Sequence, residues 1–195
     1  MFEEPDGATP LDPDEIAGLK FKHITTRGEL NELEQANIQQ GLLWLHRRRR
    51  GDILSNALIR RLHKQLFGDV WSWAGNFRHT EKNIGVDPIQ IPIQLRELLD
   101  NARYWIEHDV FSPLEAAARF HHRLVQIHLF NNGNGRHARI ATDALLKDYF
   151  NHSPIDWAKG GNLEISSTRR DAYISALRAA DAHDFSLLLT FVGNA

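Results

Sequence analysis

Cysteine is absent from this chain of 195 residues. Its absence excludes disulfide bonds, thiol catalysis and cysteine-ligated zinc, and it fits a reducing compartment. No apolar run approaches the ~18 residues that a membrane-spanning helix needs. The first ten residues, MFEEPDGATP, are acidic and polar. Because they do not resemble a signal peptide, a cytoplasmic location is the expectation.

The balance of charge is nearly even, with a formal net charge of -2 at pH 7. Such a charge argues against a protein that coats nucleic acid. The basic run Arg47–Arg50 invites that function. However, it precedes Gly51 at the predicted end of a helix, where cations stabilise the carbonyl end. Nucleic acid is therefore not an expected partner.

Hydrophobic residues make up 42% of the chain, enough for one sizeable core. No linker, repeat or low-complexity tract divides the sequence, so one compact unit is expected. Within it we expect an irregular N-terminal arm over residues 1–25 and a helical region over 26–57. The main domain is expected over 58–192.

Helical periodicity dominates the pattern. Thr26 and Glu29 form a capping-box pair, which predicts a helix from about Arg27 to His46 that ends at Gly51. The further predicted helices are Ser55–Phe67, Ile93–His108, Pro113–Gln126, Asn134–Tyr149, Thr168–Ala182 and Phe185–Val192.

Between Glu81 and Pro92 the period changes. Ile84 and Val86 alternate with polar or small residues, an Asp-Pro turn follows, and two further isoleucines alternate. This pattern predicts a two-stranded flap. The predicted fold class is all-α, a helical bundle with a small β-hairpin flap.

The stretch from His128 to Arg139, HLFNNGNGRHAR, has the residue types of a phosphate site. Its two glycines let successive N–H groups converge on an anion, and a helix beginning near Asn134 adds its positive end. Arg136 and Arg139 are three residues apart, so they share a helix face. A histidine suits a general base near neutral pH. The alternative is a glycine-rich cap between two core helices, with a packed histidine.

The same stretch resembles the signature of Fic-domain proteins, His-x-Phe-x-(Asp/Glu)-Gly-Asn-Gly-Arg-x-x-Arg. Upstream, Trp73-Ala74-Gly75 and Arg78 are similar to the family's Trp-Ala-Gly-x-x-Arg turn. The likeness covers residues 58–192, and the chain further resembles the Fic proteins called mobile mystery protein B. The matching signature positions are His128, Phe130, Gly133, Asn134, Gly135, Arg136 and Arg139.

The resemblance implies a Fic-type helical bundle that transfers AMP from ATP, with Mg²⁺, to a hydroxyl of a target protein. By that resemblance His128 is the base, Arg136 clamps the β- and γ-phosphates, and Arg139 holds the γ-phosphate. The anion hole is formed by Gly133, Asn134 and Gly135, and the target docks on a flap that contains Ile84, Gly85 and Val86.

Two positions depart from the family pattern. Leu129 stands where proline is commonest, which alters loop stiffness more than chemistry. Asn132 stands where an acidic residue holds magnesium, and a neutral amide oxygen is a weaker ligand for that ion. Asn132 therefore keeps open the alternative of a catalytically silent nucleotide-binding or toxin–antitoxin interaction module. Target phosphorylation, which some relatives perform, is another alternative, and the intact Gly135 favours adenylylation over it.

Many Fic proteins are inhibited by a glutamate that pairs with the second arginine of the signature, here Arg139. Glu34 lies on the apolar face of the Arg27–His46 helix, so we predict that it points into the domain and pairs with Arg139. Glu32 is the second choice, and the alternative is that Glu34 is solvated at the rim. The resemblance also implies a small helix-turn-helix partner protein.

The remaining histidines do not form a zinc motif. The sequence predicts that His121 or His122 packs in the interior. His137 is predicted to face outward between the two arginines.

Overall fold

A computed structural model of the protein describes residues 12–48, 52–160, 163 and 167–193. The predicted helix end at Gly51 and the last two residues of the arginine run, Arg49 and Arg50, lie outside these residues. The helices that it contains are α1 (Pro13–Ile16), α2 (Arg27–Arg47), α3 (Asn56–Phe67), α4 (Ile91–Glu107), α5 (Pro113–Ile127), α6 (Asn134–Phe150), α7 (Thr168–Asp181) and α8 (Ser186–Gly193).

Helix ends lie close to their predicted positions because side-chain caps fix them. Thr26 Oγ1 accepts a hydrogen bond from Glu29 N at 3.3 Å, and Glu29 Oε2 accepts one from Thr26 N at 3.1 Å. This reciprocal pair is the predicted capping box. Ser55 caps α3 in the same way, through Leu58 N at 3.3 Å. Together these caps set the direction in which α2 and α3 enter the bundle.

The described part of the N-terminal arm packs along the turn after α3. Trp73 Nε1 donates to Glu15 O at 3.0 Å, and Lys20 N donates to Val70 O at 3.0 Å. The short α1 within the arm was not predicted. It brings Glu15, which is buried, against the segment that precedes α4.

The predicted two-stranded flap is wrong, because no strand forms between residues 81 and 92. The segment bends at residues 83–85 and ends at Asp87, whose Oδ1 accepts from Ile89 N at 2.9 Å. That bond caps a 3-10 turn over Pro88–Gln90, which leads directly into α4. An Asp-Pro pair suits such a helical start, so the second strand is replaced by the first turn of a helix.

Two apolar clusters share α5 and α6. One lies between α2, α3, α4, α5 and α6 and contains the buried Phe67, Phe120 and Phe130. The other lies beneath α7 and α8 and contains Trp157 and Tyr173. The loop from α5 to α6 is therefore held from both sides. Every helix within residues 12–48, 52–160 and 167–193 is too short or too polar to span a bilayer.

Candidate active site

The site begins where α5 ends, at His128. This residue takes the left-handed conformation, with φ 58° and ψ 67°, as the C-cap of α5. A non-glycine residue there is uncommon and requires support from its surroundings. The turn carries the chain away from the helix axis and leaves His128 only 4% exposed.

Arg78 provides that support. It is 1% exposed, and its Nε donates to His128 O at 2.6 Å. Its other nitrogens donate to Thr80 O at 2.9 Å and to Val86 O. One buried guanidinium therefore ties the end of α5 to the flap segment. Sequence reasoning gave Arg78 no role, although its place in the Trp-Ala-Gly-x-x-Arg turn was the available signal.

The flap segment lies directly against His128. Gly85 has φ +112°, and a Cβ added to it would come within 2.8 Å of His128 Cβ and 2.6 Å of Arg78 Nη2. Val86 N donates to Ile127 O at 3.4 Å, and Val86 O accepts from Arg78. Both backbone polar groups of Val86 are thus used within the protein. Ile84 is 45% exposed beside them.

Burial keeps the His128 imidazole neutral. Burial, together with the positive charges of Arg78 and Lys82, lowers the pKa of His128 to about 3. Lys82 Nζ is itself paired with Glu15 Oε2 at 2.5 Å and with Asp12 Oδ2 at 2.8 Å. A neutral imidazole is the form that accepts a proton.

The glycine-rich loop ends in the positive end of α6. Gly133 is the N-cap, with φ 76°, and α6 begins at Asn134. The Asn134 side chain closes the loop, because its Oδ1 accepts from Phe130 N at 2.9 Å and its Nδ2 donates to Phe130 O at 2.7 Å. Asn134 therefore shapes the loop with its side chain. The first-turn N–H groups of α6 are the donors suited to an anion.

His63 supports the loop from α3. Gly75 N donates to its Nδ1 at 3.0 Å, so Nε2 carries the proton and donates to Asn132 O at 3.0 Å. Its ring stacks on Phe130, with 3.7 Å between the ring centroids. A fully buried neutral histidine thus joins the Trp-Ala-Gly turn to the loop.

Arg136 extends from α6 toward α2. Its Nη1 lies 2.7 Å from Glu34 Oε2, and its guanidinium lies over the Phe67 ring, with Cζ 4.9 Å from the ring centroid. Glu34 is 2% exposed, and its other oxygen accepts from Trp71 Nε1 at 2.7 Å. Glu34 is therefore buried in the domain as predicted, and the solvated alternative is wrong.

The predicted partner of Glu34 is also wrong, because the pair forms with Arg136 and not with Arg139. Arg139 leaves α6 on the side of α7, and its Cζ lies 5.8 Å from the centroid of the Tyr173 ring. The two arginines of the signature thus have different surroundings. Glu32, the second choice, is exposed.

Asn132, as it is placed here, does not fit a magnesium ligand. Its Oδ1 accepts from Gly133 N at 2.6 Å and from Arg136 Nη2 at 3.3 Å. An oxygen that faces two donors, one of them a cation, is poorly suited to a divalent ion. Among the described residues there is also no group of three histidine or acidic side chains that could hold a metal.

The other histidines of this region are packed. His121 Nε2 lies 2.9 Å from Tyr173 Oη, and His122 Nε2 lies 2.9 Å from Asp181 Oδ1. The prediction that His137 faces outward is wrong, since it is 1% exposed and its Nε2 lies 3.0 Å from Ile59 O. Position 137 on α6 faces α3, and the sequence pattern alone did not show which face that would be.

Comparisons with known proteins agree with this geometry. The sequence model of the Fic/DOC family matches residues 53–146. The chain is 26% identical over 149 residues to the protein adenylyltransferase Fic of Aedes aegypti, covering 74% of this chain and 28% of that protein. It is 30% identical over 103 residues to the protein adenylyltransferase fic-1 of Caenorhabditis elegans, covering 49% and 20%. The chain therefore spans well under half of these relatives.

Solved structures share the fold. BepC of Bartonella tribocorum, solved with bound AMPPNP, has a TM-score of 0.70 and 18% identity, covering 94% of this chain and 97% of that one. A fragment of Fic-1 from C. elegans has a TM-score of 0.66 and 24% identity, covering 91% and 51%. Residues 53–146 thus match the Fic/DOC family, and the helical fold is that of solved Fic structures.

Proposed function

We propose that this protein is a protein adenylyltransferase, which transfers AMP from ATP to a hydroxyl of a target protein. The observation that carries the proposal is the neutral, buried His128 beside the glycine-rich positive end of α6. It places a proton acceptor next to an anion site, which is what transfer of a phosphate-bound group to a hydroxyl requires.

In the proposed reaction, His128 takes the proton from a Ser, Thr or Tyr hydroxyl of the target. The oxygen attacks the α-phosphorus, the bond to the β-phosphate bridging oxygen breaks, and pyrophosphate leaves with that electron pair. The first-turn N–H groups of α6 hold phosphate oxygens. Arg136 and Arg139 hold the β- and γ-phosphates, since guanidinium groups match phosphate geometry.

In this proposal, the conformation in which Glu34 pairs with Arg136 is a restrained state of the enzyme. Arg136 is engaged by Glu34 and Asn132, so its guanidinium is turned toward α2. We infer that Glu34 restrains nucleotide turnover through Arg136. That assignment keeps the predicted inhibitory residue and replaces its partner.

The target would dock along the flap segment at Ile84 and Gly85, next to His128. Val86 would serve as an anchor and not as a pairing partner, because its N–H and C=O are already bonded. An added target strand therefore has room for few backbone hydrogen bonds. Ile84, which is 45% exposed, offers the target an apolar contact.

An ATP-labelling experiment in a cell lysate tests the proposed reaction. Only ATP labelled on the α-phosphate marks the target in adenylylation, and only γ-labelled ATP marks it in phosphorylation. A silent nucleotide-binding module transfers neither label. Running the assay with and without manganese shows whether transfer depends on a divalent ion.

The bonding of Asn132 favours the silent module as a second candidate. Its amide oxygen is used by Gly133 and Arg136, so this chain supplies little negative charge for a divalent ion. Absence of both labels from every protein, together with measurable ATP binding, would favour this second candidate.

Replacing Asn132 with aspartate tests that point. We expect Asn132→Asp to increase ATP turnover that depends on magnesium, because a carboxylate supplies the negative charge that the amide of Asn132 lacks, at nearly unchanged size. The measurement is turnover across a magnesium titration. Asn131→Asp is the matched control, since it adds the same charge one residue earlier in the loop. An unchanged or lower metal-dependent rate would show that position 132 does not contact the ion.

Replacing Gly85 with alanine tests the flap. The new Cβ would contact His128 and Arg78 and would sit at φ +112°, where side chains are strained. We expect Gly85→Ala to displace the segment and lower target labelling by up to about a hundredfold, the loss that a misplacement of about 1 Å can cause. ATP affinity should stay near wild type. Gly160→Ala is the control, because it also has positive φ but has no heavy atom within 4 Å of the added Cβ. Equal labelling by the two variants would contradict the role of the flap.

The proposal has a finer form. The sequence resemblance to mobile mystery protein B supports a bacterial, cytoplasmic protein that works in a toxin–antitoxin pair with a small helix-turn-helix protein. On this view magnesium enters with ATP, held by phosphates and water. Co-expression with the neighbouring helix-turn-helix chain, followed by size-exclusion chromatography, tests the partner.

A further inference from the structure

Arg139 belongs to a ring of five side chains that joins α6 to α5 and α7. Its Cζ lies 5.8 Å from the Tyr173 ring centroid, and Tyr173 Oη lies 2.9 Å from His121 Nε2. The His121 ring lies 4.4 Å from the Trp157 ring, between centroids. Trp157 Nε1 donates to Asp143 at 3.1 and 3.3 Å. Asp143 is four residues after Arg139, one turn along the same face of α6, so the two ends of this series of side chains lie near each other.

The ring is well fixed at each of its members. His121 is fully buried, and Tyr173 and Trp157 are 4% and 7% exposed. Asp143 Oδ1 also accepts from Ile155 N at 3.1 Å, so the segment after α6 is anchored on this carboxylate. Trp157 O in turn accepts from Arg169 Nε at 3.0 Å. These bonds leave the side chains of the ring little freedom to rearrange.

Near neutral pH, the charged members of the ring are Asp143 and Arg139. Burial lowers the pKa of His121 to about 3, so this histidine is neutral. Burial raises the pKa of Asp143 to about 6, while the hydrogen bonds from Ile155 and Trp157 and the charge of Arg139 oppose that rise. Around neutral pH the Asp143 carboxylate is therefore ionised and attracts the Arg139 guanidinium.

We propose that Asp143 is a positioning residue for Arg139, and that the ring of Tyr173, His121 and Trp157 fixes both in place. This inference rests on the proposed function, in which Arg139 holds the γ-phosphate of ATP. Two charged groups on one helix face, joined through packed and hydrogen-bonded side chains, give the arginine a single direction before nucleotide binds. Such preorganisation strengthens binding of the γ-phosphate of ATP and does not affect binding of the α- and β-phosphates.

Asp143→Asn tests the proposal, because it removes the charge at nearly the same size. We expect ATP to bind about tenfold more weakly, at the low end for loss of a supporting residue. ADP should bind as it does to wild type, since it lacks the γ-phosphate. Asp148→Asn is the matched control on the same helix, outside the ring and paired with Arg48. Calorimetric affinities are measured in the wild-type and Glu34→Gly backgrounds.

The pH dependence separates a charge effect from a packing effect. As pH falls through about 6, the wild-type Asp143 takes up a proton and becomes as neutral as asparagine. The ATP affinities of wild type and Asp143→Asn should therefore converge below that pH and differ above it. Titration of ATP itself is common to both proteins and cancels in their ratio. A ratio that stays constant with pH would overturn the proposal.

Tyr173→Phe is the second variant, in case Asp143→Asn does not fold. It keeps the aromatic side chain of residue 173 beneath Arg139 and removes the hydroxyl that is bonded to His121 Nε2. It should also weaken ATP binding and spare ADP binding. If wild type and the folded variants bound ATP equally well at pH 7.5, the role of the ring would be contradicted, but the proposed function would not be. A protein that binds neither nucleotide in either background would instead contradict the proposed function.

Discussion

His128→Ala is expected to lower transfer of AMP by ~10²–10⁴-fold while ATP affinity stays near wild type. The substitution removes the proton acceptor but none of the N–H groups or arginines assigned to the phosphates. The imidazole is neutral near pH 7 and can accept a proton, while its lowered pKa makes it a weaker base than a free imidazole. Initial rates with α-labelled ATP, and ATP dissociation constants for both proteins, check the prediction.

The backbone at His128 calls for a second variant. Its φ of 58° is costly for alanine but tolerated by asparagine, so His128→Asn removes the base and keeps the turn. Both variants should lose transfer equally. If ATP binding fell as far as transfer in both, His128 would be structural and the proposed mechanism would be wrong.

The helices could be predicted from the sequence because their signals are local. The Thr26 and Glu29 capping box, Pro113 in the first turn of α5 and apolar residues at helical spacing each act within a few residues. Predicted bounds therefore lie within about two residues of the structure, the usual uncertainty of helix ends. The bundle and its glycine-rich loop follow from those signals and from the spacing of the His128–Arg139 stretch.

The flap was mispredicted because its conformation depends on distant residues. Alternation at Ile84 and Val86 is compatible with a strand. However, the Val86 carbonyl oxygen accepts a hydrogen bond from Arg78, and the Val86 N–H donates one to Ile127 O. Those groups are then lost to a hairpin partner. Asp87 next begins a 3-10 turn, which leaves no residues for a second strand. The local sequence pattern does not show that the buried Arg78 will donate a hydrogen bond to the Val86 carbonyl oxygen.

The partner of Glu34 was mispredicted for a related reason. Arg136 and Arg139 share a broad face of α6, and the sequence does not show which of them α2 approaches. The packing of Phe67 and Trp71 between α3 and α2 brings Glu34 to Arg136, whereas α7 covers Arg139 with Tyr173. The burial of Glu34 could be predicted from its apolar helix face, but its contact could not.

Glu34→Gly should raise self-labelling severalfold and lower the thermal stability of the protein. The gain is expected because the substitution releases Arg136 from the contact that turns it toward α2. The loss is expected because the substitution removes the buried carboxylate that pairs with Arg136 and accepts from Trp71 Nε1, and breaking such a pair costs roughly 3–5 kcal/mol. Gly within a helix adds about 1 kcal/mol. Self-labelling with α-labelled ATP and a thermal melt measure both effects.

Two further variants separate the contact from the helix. Glu32→Gly places the same residue in α2 at an exposed position, so it carries the helix cost without the pair. Glu34→Gln keeps the size and an acceptor for Trp71 but removes the charge that holds Arg136. Labelling should rise for Glu34→Gln and stay at the wild-type level for Glu32→Gly. A rise in both glycine variants would assign the effect to a loosened α2. Unchanged labelling and ATP affinity in both Glu34 variants would exclude restraint from within this chain, and a separate partner protein would then be the place to look for inhibition.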